Sequence, residues 1–255
     1  MNDEPVLDVL ALAAHPDDVE LCAGGTVCLL TRQGYRVGIV DFSQGELGSR
    51  GTPELRMQEA AAAAEVMGVS IRENLRIPDG NIENTPENRL KVIRMVRRYR
   101  PRIVLINPME CRHPDHGRAA VLSTEALFYS GLRKIETFED DGTPQAPWRP
   151  HHVLHYMQSI PFEPTLVVDV TEVWEQRLRA LRAFRSQFYD PEYEGAPDEP
   201  VTFISNPTFF KWVEGRARTY GYGIGAEFGE PFLYRHGPFG VTDLVAALKK
   251  EKPFR

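Results

Sequence analysis

The 255-residue sequence contains few of the features that mark secreted, disulfide-bonded or membrane proteins. Its three cysteines, Cys22, Cys28 and Cys111, are an odd number and form no CxxC pair, which suits a reducing compartment. No apolar run approaches the ~20 residues that a membrane-spanning helix needs. The acidic start of the chain also lacks the basic segment of a signal peptide. We therefore expect a cytoplasmic protein with no membrane partner and with thiols that are mainly structural.

The sequence also contains fewer basic than acidic residues. The 30 lysines and arginines are outnumbered by 36 acidic residues, which gives a formal net charge of −6. The basic residues within 94–100 are interpreted as the end of a helix, where cations complement the helix dipole. This charge balance argues against a nucleic-acid partner, and the composition is typical of a globular protein.

Short apolar segments alternate along the chain with segments of helical pattern. This alternation predicts an α/β, Rossmann-like fold in one domain, residues 1–255, with a mostly parallel sheet and helices on both faces. The phosphate-binding GxGxxG pattern does not follow the first strand. A proline-rich segment, 186–207, is predicted to be a long loop or an oligomer contact. The predicted strands are 6–13, 35–42, 75–77, 102–106, 152–157 and 166–170, and the predicted helices are 23–33, 53–67, 86–99, 117–131 and 171–185.

Two polar clusters lie just after apolar strands. Residues 14–20 read Ala-His-Pro-Asp-Asp-Val-Glu after the first strand, and residues 113–116 read His-Pro-Asp-His after strand 102–106. Such groups are costly to bury without partners, so their position after buried strands indicates a function. Because ligands bind at the carboxyl ends of parallel strands, we expect both clusters to lie at one edge of the sheet.

The two clusters together contain the donors of a metal site. His15 and Asp18 are three residues apart on a turn, and His116 can complete a set of two imidazoles and one carboxylate. This set is typical of hydrolytic zinc sites and of non-haem iron oxygenases. Asp17 is then free to act as a base on a metal-bound water. Each cluster alone is also compatible with a structural turn or a structural histidine, and their combination favours the metal site.

The clusters resemble those of the LmbE-like (PIG-L) zinc-dependent N-deacetylase family. The resemblance implies that His15, Asp18 and His116 bind Zn²⁺, with another divalent metal such as Fe²⁺ as the alternative. It implies Asp17 as the general base. It also implies that His113 stabilises the oxyanion or protonates the departing amine, with Asp115 orienting His113. Further matching positions are Gly24-Gly25-Thr26, Gly45-Glu46, Arg56, Glu59-Ala60, Gly68 and Pro78-Asp79-Gly80.

The resemblance also implies residues that bind the substrate. Arg56 and Asp79 match positions that contact sugar hydroxyls. Arg56 lies near the start of a predicted helix, where a cation opposes the dipole, so its side chain is expected to have a specific partner. An exposed pair with Glu59 is the alternative. Arg50, on a glycine-rich loop, is a candidate clamp for a substrate carboxylate. Glu20 is expected to support the turn or the substrate.

Within the family, segments 45–52, 184–188 and 224–232 resemble the bacillithiol-pathway branch. That branch removes acetate from N-acetylglucosaminyl malate, and its members suggest a homo-oligomer, a trimer or a hexamer. Phe228-Gly229-Glu230 stands where Tyr-Ala-Glu is more usual. The expected partner is therefore a small N-acetyl sugar conjugate, and the expected activity is zinc-dependent deacetylation of a linear amide.

Four alternatives remain at this point. One is a deacetylase of the same family that acts on another N-acetyl sugar or on a thiol conjugate. The second is a non-haem iron oxygenase, which would have no use for Asp17 and the histidine pair. The third is a nucleotide-binding α/β module, which the absent glycine fingerprint disfavours. The fourth is a non-catalytic metal-binding protein, in which Asp17 and His113 would be unnecessary.

Overall fold

The computed structural model describes residues 6–235 together with 237 and 242. Its seven strands form one sheet, in the spatial order three, two, one, four, five, seven, six. Strands one to five pair in parallel, whereas strand seven runs antiparallel to both of its neighbours. The strands are β1 Val9–Ala13, β2 Val37–Asp41, β3 Ile71–Asn74, β4 Ile103–Ile106, β5 His152–Tyr156, β6 Leu166–Asp169 and β7 Gly229–Tyr234.

Within the described residues, six α-helices connect and cover these strands. Two of them begin with the same local signal, a threonine cap followed by proline in the first turn. Thr52 accepts a hydrogen bond from the Leu55 amide, and Thr85 accepts one from the Asn88 amide. The helices are α1 Asp18–Arg32, α2 Pro53–Met67, α3 Pro86–Tyr99, α4 Pro114–Tyr129, α5 Trp174–Arg182 and α6 Phe209–Ile224, and a 3₁₀ turn, Thr171–Val173, precedes α5.

The central strand β1 separates two apolar cores. Val9, Ala11 and Ala13 belong to the core that α1, α2, α5 and α6 cover, whereas Leu10 and Leu12 belong to the core under α3 and α4. All five side chains are buried, because successive residues of a strand point to opposite faces and both faces are covered. The predicted α/β class, with a mostly parallel sheet and helices on both faces, is confirmed.

Several predicted elements differ from the observed ones. The third strand is Ile71–Asn74 and not 75–77, because this edge strand is half-buried and its sequence, Ile-Arg-Glu-Asn, lacks an apolar signal. Helices α1 and α4 begin at Asp18 and Pro114, earlier than predicted, so that polar residues of both clusters lie in first helical turns. The sequence pattern predicts neither α6 nor β7, whereas 186–207 is a loop as expected.

The prediction of one domain over 1–255 includes chain ends that lie outside the described residues, and it stays a prediction. The same holds for the predicted absence of a signal peptide at residues 1–5. Among the helices that the structure describes, none is both long enough and apolar enough to cross a membrane.

Glu230 on β7 holds the middle of α1. Its carboxylate accepts hydrogen bonds from the amides of Gly25 and Thr26, at 2.8 and 2.6 Å, and from the Thr26 hydroxyl. Arg177 on α5 donates to the same carboxylate from the other side. Phe228, two residues earlier, stacks on Trp174 with the ring centroids 4.1 Å apart. The divergent segment 228–230 is therefore part of the packing under α1.

We predict that Gly25→Ala destabilises the protein while Gly215→Ala does not. A Cβ on Gly25 would lie 2.8 Å from the Val170 Cβ and 2.9 Å from Glu230 Oε1. Such overpacking costs about 1–3 kcal/mol. Gly215 is exposed within α6, and a Cβ there would meet open space. Alanine at this position should raise the free energy of unfolding by ~0.5–1 kcal/mol. Urea unfolding of both variants measures the difference, and equal free energies of unfolding would contradict it.

Candidate functional site

The two polar clusters meet at the carboxyl ends of β1 and β4. These strands are neighbours, and the strand order reverses between them, with β2 and β3 on one side and β5 on the other. The ring centroids of His15 and His113 are 4.8 Å apart, those of His15 and His116 5.3 Å, and those of His113 and His116 5.0 Å. The expectation that both clusters share one edge of the sheet is confirmed.

The backbone at the start of α1 is strained. Asp17 caps this helix with φ at 118°, a conformation that favours glycine and costs other residues about 1–3 kcal/mol. Asp18 follows in the first helical turn, where its negative charge suits the dipole. At α4, His113 is the cap, and its Nδ1 accepts a hydrogen bond from the Asp115 amide at 3.3 Å.

Donors for a metal ion converge at this edge. One nitrogen from each of His15, His113 and His116 lies within 4.8 Å of the others. The carboxylate of Asp18 lies 3.1 Å from His116 Nε2 and 3.8 Å from His15 Nδ1. Imidazole nitrogen and carboxylate oxygen together fit Zn²⁺ or Fe²⁺. These residues therefore fit the divalent metal ion that the sequence predicted. Which of them bind the ion and which act in catalysis stays a proposal.

Asp18 is held by residues that the sequence did not indicate. Gln158 Nε2 donates to its Oδ1 at 2.7 Å, and Asn107 Nδ2 donates to its Oδ2 at 3.1 Å. Burial alone would raise the pKa of Asp18, but the charges and hydrogen bonds of His116 and His15 hold it well below its usual range. The sequence did contain a signal for both residues, because Asn107 and Gln158 are polar side chains that come just after buried strands.

Arg56 binds the second carboxylate of the cluster. Its Nη2 lies 2.7 Å from Asp17 Oδ2, and its guanidinium also donates to the Pro16 carbonyl and to Gln187 Oε1. The alternative pairing with Glu59 is wrong, since that carboxylate accepts from Ser186. Burial raises the pKa of Asp17 to about 7, against the opposing charge of Arg56.

The pKa values of the three imidazoles shift in different directions. Burial lowers the pKa of His15, but its bonds to Asp115 and Asp79 and the charge of Asp18 raise it to about 9. Burial likewise lowers the pKa of His116, and the charge and hydrogen bond of Asp18 raise it to about 10. For His113, burial and the two neighbouring imidazoles lower the pKa. His113 is thus the imidazole that stays neutral most readily.

Asp79 and Asp115 approach His15. Asp79 Oδ1 lies 3.0 Å from His15 Nε2, and Asp115 Oδ2 lies 3.5 Å from the same atom. The Asp115 carboxylate also accepts the Gly80 amide at 2.7 Å. The Asp115 backbone amide donates to His113 Nδ1, and the role of Asp115 in orienting His113 stays a proposal.

Two of the predicted substrate-binding residues lie outside the cavity. Glu20 is fully buried and pairs with Arg72, so it is not available to a substrate. Arg50 donates to the backbone carbonyls of Ser186 and Pro200, at 2.8 and 3.2 Å, and approaches Glu199. Local sequence did not reveal these partners, which lie 52 to 150 residues away.

A cavity of about 370 Å³ opens above the donor cluster. This volume is within the range of small-molecule sites. Asp17, Asp18, Arg56 and Asp79 line it with the three histidines, and the roles predicted for these residues stay proposals. Phe228 is buried and is not among the residues that line the cavity, so its departure from the usual tyrosine does not alter the cavity wall. Other lining residues include Leu47, Cys111, Arg112, Ser159, Phe203 and Trp212.

Comparison with known proteins assigns the family. The model of the PIG-L family, described as GlcNAc-PI de-N-acetylase, matches residues 10–127, which contain both clusters. Diacetylchitobiose deacetylase of Thermococcus kodakarensis is 31% identical over 206 residues, which are 75% of this chain and 75% of that protein. A probable N-acetyl-alpha-D-glucosaminyl L-malate deacetylase 2 of Bacillus cereus is 29% identical over 201 residues, 70% of this chain and 83% of that one.

A solved structure agrees with this assignment. The conserved protein TT1542 from Thermus thermophilus superposes with a TM-score of 0.80 at 34% identity, over 92% of this chain and 98% of that chain. The agreement thus extends beyond the two clusters to the whole sheet. The chain belongs to the PIG-L (LmbE-like) deacetylase family.

Proposed function

We propose that the protein is a zinc-dependent hydrolase that removes the acetyl group from an N-acetylglucosaminyl glycoside, with N-acetylglucosaminyl malate as the substrate. One observation carries the proposal: three imidazoles and two carboxylates converge at the base of a cavity of small-molecule size. A purely structural role would not need Asp17 to be held in a strained backbone conformation beside this cluster.

The chain's own residues divide the chemistry between them. A divalent cation held by His15, Asp18 and His116 would supply a water of lowered pKa and would polarise the acetamide carbonyl. Asp17 takes the proton of the attacking water. Arg56 fixes one oxygen of this carboxylate, so the other can face the cavity. Burial raises the pKa of this carboxyl, which makes it a stronger base than an exposed aspartate.

His113 faces the other side of the reacting carbon. As a neutral imidazole it donates a hydrogen bond to the developing oxyanion, which is worth ~3–4 kcal/mol of barrier. The water oxygen bonds to the carbonyl carbon, the C–N bond breaks, and the proton that Asp17 took from the water passes to the departing amine nitrogen. Acetate and a free glucosamine amine are the products.

Asp17→Asn should keep the metal and lose turnover. The amide preserves the shape of the side chain and tolerates the positive φ, but it cannot accept the proton. We expect acetate release from N-acetylglucosaminyl malate to fall by about 10²–10⁴ while the bound zinc, measured by elemental analysis, stays at the wild-type ratio. Asp198→Asn on the exposed 186–207 loop is the control. Wild-type turnover by Asp17→Asn would remove Asp17 as the base.

The malate part of the proposal is supported by Arg112. This residue lines the cavity, and its guanidinium lies over the Phe203 ring, 4.8 Å from the centroid. Within residues 6–235 no carboxylate forms an ion pair with its side chain. A cation that lines the cavity and has no acidic partner among the described residues suits an anionic aglycone. Arg112 thus takes the role that the sequence suggested for Arg50.

Arg112→Gln should distinguish an acidic from a neutral substrate. Loss of a charged hydrogen bond, ~1.5–3 kcal/mol, should lower kcat/KM for N-acetylglucosaminyl malate by about 10- to 100-fold. The value for N,N′-diacetylchitobiose, which has no charge, should change by less than about 3-fold. Arg133→Gln, at an exposed arginine that does not line the cavity, serves as the matched control. An equal loss on both substrates would contradict the anionic aglycone but not the deacetylase activity.

Further parts of the proposal rest on the sequence. Zn²⁺ is proposed over Fe²⁺ as the native metal, and metal analysis of protein purified without added metal would test this choice. A cytoplasmic location, the absence of a nucleic-acid or membrane partner, and a homo-oligomer, trimer or hexamer, stay predictions.

A further inference from the structure

The second nitrogen of His116 has an unusual partner. Its Nε2 faces the Asp18 carboxylate at 3.1 Å, toward the site. Its Nδ1, on the other side of the ring, lies 3.0 Å from the Sγ atom of Cys111. Histidines that bind metals almost always donate the other N–H to an acceptor, most often a carboxylate or a carbonyl. Here the atom in that position is a thiol sulfur.

A chain of hydrogen bonds links the Cys111 sulfur to the backbone. The backbone amide of Arg112, which can only donate, lies 2.9 Å from Ser159 Oγ. The serine hydroxyl accepts this bond, and its own hydrogen is then free to point to Cys111 Sγ, 3.0 Å away. When the Nε2 lone pair of His116 binds a cation, Nδ1 carries the hydrogen of the ring and donates it to the Cys111 sulfur.

We propose that Cys111 is a positioning residue for His116: by accepting from Nδ1 it holds the ring so that the Nε2 lone pair faces the metal site, and Ser159 anchors the thiol. The inference rests on the proposed function, in which His116 holds the cation. It gives a purpose to the one cysteine that lines the cavity, since Cys22 and Cys28 are buried in the apolar core.

The geometry also separates this role from direct metal binding. Sγ lies on the Nδ1 side of the His116 ring, whereas Asp18 lies on the Nε2 side, so the ring stands between the sulfur and the carboxylate. Cys111 accordingly does not belong to the groups of donors that lie within 4.8 Å of one another in the described residues. Its effect on the metal is expected to pass through His116.

Zinc affinity provides the test, because it needs no substrate. Competition with a chromophoric chelator gives the zinc Kd of the full chain and of Cys111→Ala, Cys111→Ser and Ser159→Ala. We expect a Kd about 10- to 100-fold weaker for Cys111→Ala, and a smaller loss for Ser159→Ala. Cys111→Ser keeps an acceptor and should recover most of the affinity. Cys28→Ala, which removes a buried thiol from the same protein, should leave the Kd unchanged.

Three results would overturn the proposal. One is a wild-type zinc Kd for folded Cys111→Ala, with folding verified by its thermal unfolding curve. Another is a Kd for Cys111→Ser as weak as that for Cys111→Ala. The third is a thiolate-to-cobalt charge-transfer absorption in the Co²⁺-loaded protein that disappears in Cys111→Ala, because it would make Cys111 a ligand. The ¹⁵N spectrum of the zinc-loaded protein should show Nδ1 of His116 protonated and Nε2 bound.

Acetate release is measured separately and keeps the two proposals distinct. Weakened zinc binding in Cys111→Ala combined with no deacetylase activity in the wild type would sustain the positioning role and refute the proposed reaction. Unchanged zinc binding combined with an active wild type would do the reverse.

Discussion

Burial of charge at the end of β1 is the constraint around which the neighbouring elements are arranged. An ionised carboxylate out of water is stable only when it is paired and hydrogen-bonded. Asp17 therefore has Arg56 from α2, and Asp18 has two amides from the ends of β4 and β5. Glu20 shares Arg72 on β3 with Asp41 on β2. Each acidic group of the first cluster thus ties α1 to a different part of the sheet or its helices.

This pairing explains which parts of the site were predictable from sequence. His15 and His116 were identifiable because polar residues directly after apolar strands are costly, and parallel strands end at one edge. The partners of Glu20 and Arg50 were not, because residues that meet only in the folded chain leave no local pattern. Arg50 was a candidate for the substrate, and Glu20 for the turn or the substrate, whereas in the folded chain Glu20 pairs with Arg72 and Arg50 donates to two backbone carbonyls.

The C-terminal elements were missed for a different reason. Helix α6 contains glycines, which have low helix propensity, and close packing explains one of them: a Cβ on Gly221 would lie 2.8 Å from the Phe228 amide nitrogen. Strand β7 contains Pro231 and begins at Gly229, whose own Cβ would lie 2.7 Å from the Gly221 amide. The glycines that let the two backbones approach closely thus lower the helix propensity of α6 and the strand propensity of β7, so the sequence pattern predicts neither element.

The hydrogen bonds from the Gly25 and Thr26 amides to Glu230 join residues more than 200 positions apart in the chain. During synthesis, every proposed metal ligand, up to His116, is made long before β7. The helix that carries Asp18 therefore lacks one of its fixed points until the final segment is added, and contacts of such sequence separation form slowly. A nascent chain would therefore contain the proposed ligands before α1 has gained its contact with β7.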